Sequence, residues 1–118
     1  MSWFTAHDGR GIIDVIGDHA DERETSLMLH LHPELVAPRE AWGKGTSNAW
    51  ALDALRDKSA WSPRQWSLAT VDTGVGDPGA ATAEKGKRYF DAICERVAAY
   101  FVELAGADLA NLYERPAD

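Results

Sequence analysis

Cysteine is nearly missing from this chain, Cys94 being its single thiol. One cysteine excludes an internal disulfide and fits a reducing compartment. Positive charge is scarce too: 12 Lys and Arg stand against 19 Asp and Glu, for a net charge of −7. That balance argues against nucleic acid or an anionic membrane as the main partner. No apolar run approaches the ~20 residues of a membrane span. The opening Met1-Ser2-Trp3-Phe4 lacks the basic-then-apolar pattern of a secretory signal, so a cytoplasmic protein is the expectation. Internal repeats and low-complexity segments are absent as well. What remains is 118 residues, 45% hydrophobic and 26% charged, the composition of one globular domain. A chain of this length buries about two thirds of its unfolded surface, enough for a single core without staples.

The densest chemistry lies in residues 17–29, where His19 and the acids Asp18, Asp21, Glu22 and Glu24 lead into an apolar helical pattern. Asp21 with Glu24 three positions on resembles a capping box. Leu27, Leu31 and Leu35 predict one buried face, and Pro33 ends the regular helix near Leu31 or His32. Upstream, Asp8-Gly9-Arg10-Gly11 reads as a turn and Ile12–Ile16 as a short β-branched strand, while Trp3-Phe4 could end another. Downstream, residues 37–66 hold four of the five tryptophans, Trp42, Trp50, Trp61 and Trp66. Such a cluster packs against a core or a partner chain. Asn48 could cap a short helix over 49–55. Residues 66–71 alternate weakly and read as a strand, followed by the glycine-rich connection 72–79. Ala80 to Ala105 is the longest predicted helix, with a buried stripe of Phe90, Ile93, Val97, Tyr100, Phe101 and Leu104, a Glu84–Arg88 pair on its other side, and Gly106 as its stop. A last short helix over 108–113 and a frayed tail from Glu114 complete the reading. Strand–helix alternation indicates α/β. Two convincing strands make a poor sheet under two helices, so the pattern looks like part of a larger layered structure.

Each motif has a plain structural alternative. Gly74-x-Gly76-x-x-Gly79 matches the dinucleotide fingerprint. Asp77 would set a negative charge beside the pyrophosphate, Pro78 removes a backbone donor, and no second strand with an acidic end follows. A structural turn is the stronger reading. His30 and His32 lie about 200° apart on a helix and cannot easily share a metal. His19 is either a cleft-facing histidine or a solvated loop residue, and Glu24 either a site residue or the capping-box partner.

Residues 19–29, His-Ala-Asp-Glu-Arg-Glu-Thr-Ser-Leu-Met-Leu, followed by Pro33-Glu34-Leu35-Val36, closely resemble a signature of the creatininase (creatinine amidohydrolase) family. Thr73-Gly74-Val75-Gly76-Asp77-Pro78, with residues 81–86 after it, resembles that family's second signature. The resemblance covers nearly the whole chain, and corresponds to the second half of the family's domain. It implies a three-layer α/β/α fold of which residues 1–118 are the C-terminal half, with two or three strands and two main helices. The family's Glu-x-His-Gly motif, bridging Asp and Gly-His-Gly-Gly-Asn-like segment are not in this sequence.

The resemblance further implies a metal-dependent amidohydrolase acting on a cyclic or linear amide C–N bond of a small molecule, with a pair of divalent ions, zinc or manganese. His19 matches the family's proton-shuttling histidine. Glu24 matches a glutamate at or next to a metal, and Glu22 the family's other glutamate, in or just outside the metal shell. The main ligands are then expected from a missing N-terminal half, in a companion chain or an upstream segment, and a homo-oligomer is expected as well. Two departures stand out. Asp21 replaces a family glycine, and Asp14, Val15 and Ile16 stand where members acting on creatinine carry a tryptophan. A non-catalytic remnant, held in an oligomer by its Trp-rich middle, is the alternative reading. A nucleotide-binding module is the third.

Overall fold

Two helices crossing at a glycine give the protein its shape. The computed structural model describes residues 6–113; the segments expected at Trp3-Phe4 and from Glu114 onward lie outside the described residues. Helix α1 spans Glu22–Leu31. Two four-residue helical turns follow, α2 (Asp53–Arg56) and α3 (Trp66–Ala69). The long α4 runs from Ala83 to Gly106. Short 3-10 turns occupy Pro33–Leu35, Arg39–Ala41 and Leu109–Asn111.

Helix α1 begins at the predicted cap, Asp21, with Glu24 reaching back one residue beyond the N-cap amide of a standard capping box. Asp21 Oδ1 accepts from the Glu24 N–H at 2.9 Å, and Glu24 Oε2 accepts from the Ala20 N–H at 2.7 Å. It stops at Leu31, one residue before the pre-proline position His32. Helix α4 is capped by Thr82, whose hydroxyl accepts from the Lys85 N–H.

α1 packs on the first half of α4. Their closest approach is at Gly86, where a Cβ would lie 1.9 Å from the Ser26 carbonyl oxygen. The face of α1 turned inward is therefore Glu22, Ser26 and Leu27, not the predicted leucine row. A four-residue repeat drifts about 40° per step, and Leu31 and Leu35 come out exposed. The core is small: Leu27, Tyr89 and Ile93, with Ala6, Ile12, Phe90 and Val97 packed on it. Tyr89 donates its hydroxyl to the His7 carbonyl and fastens the chain's start to α4.

Among the described residues no β-strand forms; pairing is limited to the antiparallel bridges His19–Val75 and Ser47–Thr70. Both predicted strands are corrected. Residues 12–16 form a turn and loop: Ile12 and Ile13 donate to the Gly9 carbonyl, and Asp14 and Val15 donate to the Glu22 carboxylate. These donors are spent locally, so no neighbouring strand is recruited. Residues 66–69 are a helical turn, since Ala69 donates back to Gln65 and Thr70 to Trp66. Asn48 caps no helix; its side chain donates to the Leu68 carbonyl, and the short helix begins after Leu52. The Glu84–Arg88 pair is also replaced. Arg88 donates to the Gly11 carbonyl, and Lys87–Asp91 is the i,i+4 pair of this helix.

Candidate active site

The site grows from the N-terminus of α1. His19 is fixed through its backbone, donating to the Val75 carbonyl at 3.1 Å and accepting from the Val75 N–H at 2.8 Å. Ala20 follows with φ +49°, a left-handed conformation that costs a non-glycine residue about 1 kcal/mol or more. The turn lets the His19 side chain stand beside the helix start, where Nδ1 lies 3.7 Å from Glu24 Oε2. That is ion-pair distance and too long for a hydrogen bond. The His19 ring meets the Trp66 ring edge to face, with centroids 5.3 Å apart. Trp66 is oriented in turn by its Nε1, which donates to the Thr73 carbonyl. Arg64 lies over its face and pairs with Asp18. His19 is thus held between a carboxylate and an indole, with its side chain 54% exposed.

A cavity of about 450 Å³ opens beside this pair. Ala20, Glu24 and Thr25 form one wall; Met28, Leu35, Val36 and Trp42 make an apolar one; Gly45, Asp72 and Gly74 close the floor. The glycines are there because three loops touch. A Cβ on Gly45, which has φ +59°, would come within 2.0 Å of the Gly76 carbonyl oxygen. A Cβ on Gly17 would lie 2.4 Å from the Val75 carbonyl oxygen.

The same contacts dispose of the nucleotide reading. The amides of Gly74, Gly76 and Gly79 already donate to Asp72 Oδ1, the Gly45 carbonyl and Asp77 Oδ1. A phosphate would find those donors taken.

The three sequence candidates divide. Glu24 lines the cavity, and its Oε1 has no hydrogen-bond partner among the described residues. His19 stands next to it. Glu22 is fully buried, with Oε1 accepting from Lys85 Nζ at 2.6 Å and the Asp14 N–H at 3.1 Å, and Oε2 from the Val15 N–H at 2.8 Å. Burial pushes this carboxyl's pKa up, but the Lys85 ammonium and the two amides outweigh it and hold it below the usual glutamate value. Lys85 is raised by its bonds to Asp14 and Glu22. Both oxygens of Glu22 are thus occupied by the fold.

Asp21, in place of a glycine, is neatly accommodated. It is buried, has φ −77°, and accepts from the Gly17 and Glu24 amides. The left-handed residue of this turn is Ala20. Trp66 and Asp72 are the site residues that sequence reasoning missed. Trp66 was legible only as a member of the tryptophan cluster, and Asp72 as part of a glycine-rich turn.

The residues present do not by themselves fit a divalent metal. Among the described residues no three His, Cys, Asp or Glu side chains come close enough to hold one, and His19 with Glu24 supplies two donors where a closed site needs about four.

Comparison with known proteins bears on the same residues. The family model for creatininase, creatinine amidohydrolase, matches residues 4–101. The mycofactocin precursor peptide peptidases of Mycobacterium tuberculosis strains CDC 1551 and H37Rv are each 42% identical over 79 residues, which is 65% of this chain and 29% of theirs. A crystal structure from Bacteroides fragilis NCTC 9343, provisionally assigned as a creatinine amidohydrolase, matches 97% of this chain with 47% identity and a TM-score of 0.84. That likeness is consistent with an α/β fold. This chain spans 44% of the Bacteroides protein's length.

Proposed function

Because the chain belongs to the creatininase family, we propose that it forms the proton-transfer side of an amidohydrolase site that breaks a cyclic or linear amide C–N bond. The observation that carries this reading is His19 standing 3.7 Å from Glu24, beside the cavity that Glu24 lines. Water adds to the amide carbon, and the His19 imidazole takes its proton and delivers it to the departing nitrogen, so that the amine leaves neutral. A positioned imidazole contributes about 10²–10⁴ in rate. Glu24 orients the ring, and Trp66 limits its swing.

The fold is read as the C-terminal half of a three-layer α/β/α domain. Zinc or manganese, which the family resemblance implies, would take its main ligands from polypeptide outside these 118 residues, either an upstream segment or a companion chain. Glu24 is this chain's own contribution. Glu22 is reassigned from metal ligand to positioning residue, because its oxygens are bound to Lys85 and two amides. A peptide amide is the favoured substrate. Two relatives are named as peptidases of a precursor peptide, and the wall of Met28, Leu35, Val36 and Trp42 suits an apolar side chain. Asp14, Val15 and Ile16, shortly before His19, stand where members acting on creatinine carry a tryptophan, which weighs against creatinine. A homo-oligomer and a cytoplasmic setting complete the proposal; no helix among the described residues is long and apolar enough to cross a membrane.

The second reading, a non-catalytic remnant, is favoured by the two-donor count alone. Metal analysis and amide hydrolysis by the complete assembly separate the two. Bound divalent metal together with loss of turnover in Glu24→Gln supports the enzyme. An assembly free of metal and inert toward amides leaves the remnant.

A further inference from the structure

Two contacts tie Arg64 to the surroundings of His19. Its guanidinium pairs with the carboxylate of Asp18, the residue directly before His19. The same group lies over the Trp66 ring, 4.8 Å from the centroid. Trp66 in turn meets the His19 ring at 5.3 Å and 84°. Asp18, His19, Trp66 and Arg64 thus close a ring of contacts.

The main chain leaves this tie to the side chain. From Trp61 to Gln65 no backbone N–H donates to a backbone carbonyl among the described residues. On the far side of the ring, the loop after α3 anchors the other members. Val75 pairs with the His19 backbone, and the Thr73 carbonyl accepts from Trp66 Nε1 at 3.0 Å. Thr73 has φ +69°, a left-handed conformation that a β-branched residue rarely adopts. Such outliers persist where their surroundings over-determine them, and the carbonyl of this residue is the one that fixes the indole.

We propose that Arg64 is a positioning residue for His19, holding Trp66 against the imidazole by stacking on the indole while it grips Asp18. A planar guanidinium can stack and pair at once, which an ammonium cannot. The Arg64 and Asp18 side chains are 39% and 53% exposed, so the pair adds little to stability and acts on placement. Placement matters because a displacement of about 1 Å can cost about 10²-fold in rate. The effect on turnover rests on the amide-hydrolysis reading; the placement of the ring rests on the contacts alone.

Aromatic NMR of the 118-residue protein reads that placement directly. The His19 and Trp66 rings shift one another's resonances through their ring currents, and Trp66→Leu gives the His19 resonances without that neighbour. Arg64→Met should move the His19 ring resonances most of the way to those values. Arg64→Lys, which keeps the charge and loses the planar stack, should move them less. Lys58→Gln, a change at a nearby loop cation, should leave them in place. The urea midpoint and the far-ultraviolet helical signal should survive all three. In the complete assembly, Arg64→Met should lower kcat by about tenfold with KM changed by less than about twofold. In a Trp66→Leu background it should cost nothing further. His19 resonances unmoved by Arg64→Met overturn the proposal. So do Arg64 and Trp66 losses that add in full, or a loss that falls on KM. An assembly that hydrolyses no amide removes the proposed function instead, and the His19 resonances then decide the role of Arg64.

Discussion

Glu22 and Glu24 are two positions apart on one helix start, and their amide variants should fail in opposite ways. In Glu22→Gln the side chain keeps its shape and loses its charge. If its remaining oxygen stays toward Lys85 and Asp14, its NH₂ group meets the Val15 N–H, donor against donor. If it flips, Lys85 Nζ and the Asp14 N–H are the groups left facing a donor. Either way a charge-assisted bond of 2.6 Å is weakened and a buried backbone donor is stranded. A charged hydrogen bond contributes about 1.5–3 kcal/mol and a stranded buried donor costs about 1–3. Asp14 still holds Lys85 at 2.8 Å, which tempers the loss. The expected cost is about 2–4 kcal/mol in urea unfolding at pH 7, a large share of the ~5–15 kcal/mol that holds a domain together. In Glu24→Gln the amide oxygen still accepts from the Ala20 N–H, and glutamine serves a capping box as well as glutamate. Stability should change by less than about 1 kcal/mol, while metal content and turnover of the assembly fall. A Glu22→Gln protein as stable as the parent but stripped of metal would refute the division of roles.

The remaining expectations concern the lysine pair, the glycines and the histidine. Glu22's folded pKa lies below its ordinary value of 4.5, so its stabilisation is present above pH ~4.5 and is lost as pH falls through the folded value. Lys85 is raised above 10.5 and buried Tyr89 above 10.0; their contributions are present below those values and lost as pH rises through the folded ones. Melting temperature should therefore be flat between these limits and fall on both sides, and Lys85→Met should flatten the acid limb. Gly86→Ala should destabilise by about 1–3 kcal/mol through overpacking, although alanine is the better helix former by about 1 kcal/mol; a stabilised variant would mean that α1 and α4 are not in contact there. Gly45→Ala should be worse tolerated than Gly11→Ala, since both have positive φ but a Cβ on Gly11 meets open space. His19→Asn should cut turnover by about 10²-fold or more with the urea midpoint unchanged.

The helix ends were legible because each is decided within a few residues. Asp21 and Glu24 cap α1 and Pro33 forbids it to continue, whereas α4, expected over Ala80 to Ala105 with Gly106 as its stop, runs from Ala83 through Gly106 and is capped by Thr82 and Ala107. The strands were misread because their donors are claimed by distant or unexpected groups. No local pattern shows that a glutamate eight residues on will take the Asp14 N–H, or that Lys85 will arrive from 63 residues away. Two of the three buried residues of α1, Glu22 and Ser26, are polar, which hydrophobic periodicity cannot detect. A glycine six residues inside the predicted helix, Gly86, was the available signal for close helix packing. The motif singled out His19 and Glu24, which lie 3.7 Å apart, whereas Trp66, at the start of α3, and Asp72 come near them only through the tertiary fold.

The acidic stretch at the start of α1 does two jobs with alternate residues. Asp21 and Glu22 turn inward and bind backbone amides that would otherwise be unpaired. Glu24 lines the cavity, and His19, half exposed, stands 3.7 Å from its carboxylate. The alternation explains why an aspartate is tolerated where the family signature has glycine, because the left-handed residue is Ala20 and position 21 needs only a good cap. It also makes the inward pair the condition for the outward one. Glu22 holds residues 14–15 and Lys85 against α1, and Asp21 ties Gly17 to the helix start. These bonds fix the turn on which His19 rides. Disturbing the inward pair should therefore cost activity only as far as it costs folding, and disturbing the outward pair should cost activity alone.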